Sequence, residues 1–144
     1  MIDGGAKMLH TGHVNFLSII VASAAYWILG ALWYSPIFFA KPWTKAIGKT
    51  REQLMEGFSK LAFLWSFVWS FVASYGIARI MVWTDAITIG AGFLVGGLVG
   101  ICFVLATNAI NNLFDRRGCT LLLINSLYHI VALVTAGVII SAWR

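Results

Sequence analysis

His129 has the best claim to chemistry in this 144-residue chain. It lies deep inside an uncharged apolar run, where an imidazole can hold a ligand, a proton or a metal. Uncharged hydrogen-bonding groups gather around it in the sequence. Asn125 precedes it by one helical turn, Asn108 and Asn112 close the preceding apolar run, and Tyr34 and Ser35 close the first. Asparagine supplies donors and acceptors without charge, so the set suits a neutral polar or weakly acidic group. The plainer alternative is that these side chains only hydrogen-bond one another between helices.

The elements that position them follow from composition. Sixty percent of the residues are hydrophobic and 10% are charged, where a soluble domain carries roughly 25% charged residues. With a mean hydropathy of +0.88, a soluble globule, a disordered chain and a nucleic-acid binder are all excluded. A hydrocarbon core needs about 20 apolar residues in helical form. Four stretches satisfy this: Val14 to about Phe39, Leu61 to Trp83, Ala86 to Phe114, and Cys119 to Trp143. The expected fold is an all-α integral membrane protein, with four transmembrane helices in two antiparallel hairpins. Residues 1–13 form an extramembrane segment and residues 14–143 a single domain. Ala22-Ser23-Ala24 imitates a signal cleavage site, but the apolar run continues past it, so the segment reads as a retained span.

Basic residues set the orientation. Lys41, Lys45, Lys49, Arg51 and Lys60 in the first loop join Arg116 and Arg117 in the third, against Lys7, Arg79 and Arg144 on the other side. Both basic loops are expected in the cytoplasm and both termini outside, in a bacterial inner membrane. Between the first two spans, Lys41, Lys45 and Lys49 recur at helical spacing opposite Trp43 and Ile47, which suggests a short basic amphipathic helix on the inner leaflet. Thr50 and Gln53 resemble a capping box. A helix starting there could run unbroken through Leu54, Met55, Phe58 and Leu61 into the second span, reaching about 48 Å by Val82.

Gly92, Gly96 and Gly100 share one face of the third span, and Ser66, Ser70 and Ser74 form a matching stripe on the second. Such faces let backbones approach closely, within one subunit or between copies. Continued at the same spacing, the glycine row reaches Asn108 and Asn112. Asn108 and Asn125 should then lie at similar depth, about 10 Å in. Tyr34, Ser35, Asn108, Asn112 and Asn125 are thus expected in one polar layer, with His129 a turn deeper. Arg79, the other ionisable residue well within a span, should snorkel outward or pair with Asp85.

Several four-span plans fail on residue type. No carboxylate lies inside a span to exchange protons for cations, and His129 lacks the partner that a bis-histidine haem site needs. Cys102 and Cys119 are too far apart in depth for a thiol pair. His10 and His13 form an isolated H-x-x-H without a third metal ligand. No cofactor, metal or nucleic-acid partner is expected.

The strings that remain resemble the domain-of-unknown-function 1761 family. They are Asn15-Phe16-Leu17, Gly30-Ala31-Leu32-Trp33-Tyr34-Ser35-Pro36, Trp43 and Gly48, then Asn108 and Asn125-Ser126-Leu127-Tyr128-His129. The resemblance covers about Val14 to Trp143 and implies a small four-span membrane protein with no assigned activity. Within the motif, Pro36 disfavours helical backbone at Ser35 and should make a corner there. Tyr34 and Ser35 could satisfy the carbonyls freed at that corner or reach the asparagine layer.

Three functions are compatible with the sequence. The first is a non-enzymatic accessory or scaffold subunit, in a homo-oligomer or a larger membrane complex, suggested by the glycine stripe. The second is a carrier or binding protein for a small neutral or lipid-like molecule, using a cytoplasm-facing polar pocket. An enzyme using His129 as acid, base or ligand is the third, and it needs partners that the sequence does not supply.

Overall fold

A computed structural model describes residues 12–56 and 59–143. Lys7, His10 and most of the expected N-terminal segment lie outside the described residues, as does Arg144. Every described element is helical. A helix satisfies its own backbone in hydrocarbon, so the four apolar runs become four spans. The first is α1 (Phe16–Trp33); α2 (Ala40–Ile47) and α3 (Arg51–Glu56) connect it to the second, α4 (Lys60–Trp83). The third span runs from α5 (Ile89–Val99) through a π-helical turn (Gly100–Leu105) into α6 (Ala106–Asp115), and α7 (Cys119–Ala142) is the fourth.

Local chemistry sets the helix ends. Asn15 caps α1 by accepting from the Leu17 and Ser18 amides at 3.0 and 3.3 Å. Its own amide donates to the Trp143 carbonyl at 3.2 Å, tying the first span to the end of the last. α1 stops at Trp33 rather than near Phe39, with the turn before Pro36 as the cause. The carbonyls of Leu32, Trp33 and Ser35 accept from the amides of Ser35, Phe39 and Ala40, so the turn's own backbone satisfies the corner.

The capping box forms as the sequence suggests: Gln53 Oε1 accepts from the Thr50 amide at 2.9 Å, and Thr50 Oγ1 from the Gln53 amide at 3.3 Å. The helix it starts does not continue into the second span. Ser59 is extended, at φ −86° and ψ 133°, and its hydroxyl accepts from the Leu61 amide at 3.2 Å, giving α4 its own N-terminus. Serine competes for backbone groups and so favours caps, while the apolar spacing around it fits a continuous or a broken helix equally well.

The main core lies toward the chain termini. Ala132, Leu133, Ala136 and Ile140 of α7 pack with Ile19, Ala22 and Tyr26 of α1 and with Ile77, Ala78 and Met81 of α4. The glycine stripe also meets α7, not the serines of the second span. A Cβ at Gly96 would stand 2.7 Å from the Leu133 carbonyl carbon, and one at Gly100 2.9 Å from the Ile130 Cα. Gly137 reciprocates against Gly92. Only missing side chains permit so close a backbone approach. Ser70 and Ser74 are buried, and the Ser74 hydroxyl is the one buried side-chain polar atom among the described residues with no hydrogen bond.

Toward the basic loop, α4 leaves this core. From Lys60 to Trp69 every residue but Phe67 is exposed, including Leu61, Leu64 and Trp65. That departure opens a cleft.

Candidate functional site

The cleft holds a cavity of about 930 Å³ between α1, α4 and α7, bounded at the loop end by α2 and α3. Its α1 wall is built on a spacing of four: Tyr26, Gly30 and Tyr34 share one helix face. Gly30 makes room for a ring from the fourth span, since a Cβ there would come within 2.7 Å of the Tyr128 hydroxyl. Tyr128 then packs edge-on against both neighbours, with ring centroids 5.7 Å from Tyr26 and 5.6 Å from Tyr34. Its hydroxyl donates to the Tyr26 carbonyl at 3.4 Å. Across the cleft, Trp27 donates to the Ser66 hydroxyl at 2.9 Å and meets Phe63 and Phe67 edge-on. These contacts fix an aromatic surface that can adapt little and can hold a flat or flexible apolar molecule.

His129 lies on this wall. Its Nδ1 is 2.7 Å from the Tyr26 hydroxyl, and its ring lies against Tyr128, tilted by 46° with centroids 4.6 Å apart. Nε2 has no hydrogen-bond partner among the described residues. The tautomer decides which nitrogen carries the proton. With the proton on Nε2 the second nitrogen can donate to a hydroxyl or carbonyl, and with the proton on Nδ1 it can accept from a hydroxyl.

The side chains expected in one polar layer, Tyr34, Ser35, Asn108, Asn112 and Asn125, make separate hydrogen bonds rather than one network. Tyr34 donates to Asn125 Oδ1 at 3.0 Å. Asn108 donates instead to the Ser126 hydroxyl at 3.2 Å, and Asn112 to the Arg117 carbonyl at 2.8 Å, bracing the third loop. Ser35 accepts from the Ile37 amide within its own turn at 3.3 Å. Tyr34, Ser35 and His129 line the cavity, whereas Asn108, Asn112 and Asn125 do not. The π turn adds a residue between Gly100 and Asn108, so the sequence row is not straight, and Val104 within it reaches the cavity wall.

Sequence reasoning missed Tyr26, Trp27, Tyr128 and Arg51. The Tyr26-Gly30-Tyr34 spacing was the available signal, since it places two phenols either side of a gap on one face. At the other end of the bundle, a cavity of about 310 Å³ is lined by His13, Asn15 and Asp85 among others. Of the two expected outcomes for Arg79, snorkelling outward or pairing with Asp85, the contacts fit the first: it donates to the Gly12 carbonyl at 3.2 Å and sits 5.4 Å from the Trp83 ring centre. No group of three metal-ligating side chains occurs among the described residues.

A four-span helical membrane protein with a cleft between its first, second and fourth spans is the class that this fold and site define. The chain matches the family model described as "Protein of unknown function (DUF1761)" over residues 17–141, and it belongs to that family. No curated protein and no solved structure matches it.

Proposed function

We propose that the protein binds a lipid-like molecule in the cleft between α1, α4 and α7. The cavity carries this reading. Its volume of about 930 Å³ falls at the upper end of the ~300–1,000 Å³ typical of small-molecule sites. Its wall is mostly aromatic and aliphatic with a few polar groups, as such sites require. The scaffold alternative drew on the glycine stripe, and α7 of the same chain covers that stripe. By the positive-inside rule the basic loops face the cytoplasm, so the cleft opens toward the cytoplasmic leaflet and the termini lie outside.

Energy transfer from the tryptophans to cis-parinaric acid methyl ester tests the binding. The purified protein should give a saturable signal, and Ala31→Trp, which fills the cavity from α1, should abolish it while the variant melts like wild type. A signal that rises without saturation and equally in both proteins is partition into lipid, and it would rule the site out.

A further inference from the structure

We infer that the bound molecule carries an anionic head group, a carboxylate or phosphate at the end of an alkyl chain. Arg51 holds that head at the loop end of the cleft while the chain lies along Trp27, Phe63 and Trp69. The inference rests on the cleft being a binding site and adds the charge and orientation of what it binds.

Arg51 is the one charged side chain among the described residues lining the cavity, in company with the hydroxyls of Ser35 and Thr44. Beyond them the wall is mainly aromatic and aliphatic, interrupted by Ser66, Ser70 and His129, so the site offers one cationic end and one largely apolar end. Among the described residues the guanidinium makes no ion pair, Arg117–Asp115 being the one found there. Glu52 is its neighbour in sequence. That carboxyl is held below its ordinary range first by its own backbone amide and then by Thr50, with Arg51 contributing less than either. The net charge of residues 41–60 has the same sign, since Lys41, Lys45, Lys49 and Lys60 outnumber Glu52 and Glu56. A planar guanidinium is suited to carboxylate or phosphate, which it can bind through two parallel hydrogen bonds. The capping box at Thr50 and the left-handed turn at Gly48 (φ 75°) hold Arg51 at the cavity mouth.

The test compares cis-parinaric acid with its methyl ester, which differ in the charge of one end. Wild type should bind the acid about tenfold more tightly than the ester. Arg51→Gln should remove most of the acid's advantage over the ester, and Lys49→Gln should keep most of it. Equal affinities in wild type, or a preference that survives Arg51→Gln, would overturn the inference while leaving the cleft as a binding site. If neither probe saturates, the cleft itself fails, and the inference with it. Competition then assigns the source. Displacement by phosphatidylglycerol but not phosphatidylcholine supports a bilayer lipid head group, and displacement by decanoate alone supports a free acid.

Discussion

The Tyr26 hydroxyl lies 2.7 Å from Nδ1 of His129, joining the first span to the fourth at the wall of the cleft. This bond holds the imidazole and leaves its second nitrogen without a hydrogen-bond partner among the described residues. Tyr26→Phe should cost about 0.6–1 kcal/mol, the usual worth of an interhelical hydrogen bond in a membrane protein. The melting temperature should therefore drop only slightly, while the affinity for the parinaric ester falls several-fold. Unchanged affinity with lowered stability would make the pair a structural tie and nothing more.

Neighbouring glycines give a sharp packing test. At Gly96 a new methyl group would strike the backbone of Leu133 and Val134, whereas at Gly97 its nearest contact is the Val134 Cγ2 at 3.9 Å. Gly96→Ala should destabilise by about 1–3 kcal/mol through overpacking. Gly97→Ala should be neutral, or gain up to about 1 kcal/mol of helix propensity. Thermal melts in one detergent decide it, and equal loss at both positions would contradict the α5–α7 contact.

These residues show how far the sequence carries. The four spans were legible because apolar length is a local property. Thr50 and Gln53 were legible for the same reason. The break at Ser59 was not, since a serine within an apolar rhythm can cap a helix or sit inside one. The partner of the glycine face was also hidden: a stripe of small residues says that something approaches closely, and only the fold says that it is α7. His129 lines the cavity with Tyr26 and Tyr128 beside it, where the sequence reading gave asparagines as its companions. Depth counting aligned Asn108 and Asn125 without knowing which way each faces. The cavity arises from α4 leaning away from the bundle, a tertiary feature with no local signature.

The capping box gives a test of how α3 positions Arg51. Thr50→Ala removes one of the two reciprocal bonds and should cost about 1 kcal/mol of local helix stability. Amide exchange across residues 51–56 should quicken with no change in global melting, and the preference for acid over ester should shrink. Exchange at the wild-type rate would show that the box does not hold α3.

Orientation is open to direct labelling. In a background with Cys102 and Cys119 replaced by alanine, cysteines at Lys45 and Arg117 should react only from the cytoplasmic side, and one at His13 only from outside. Opposite labelling would invert the topology and move the cleft to the other leaflet, with the four spans intact.

Native mass spectrometry of the protein released from membranes tests the central claim most directly. Wild type should carry an amphiphile-sized adduct that survives delipidating detergent, and Ala31→Trp, equally well folded, should appear as the bare chain. Wild type released without any adduct, or an identical adduct on both proteins, would contradict a ligand seated between α1, α4 and α7.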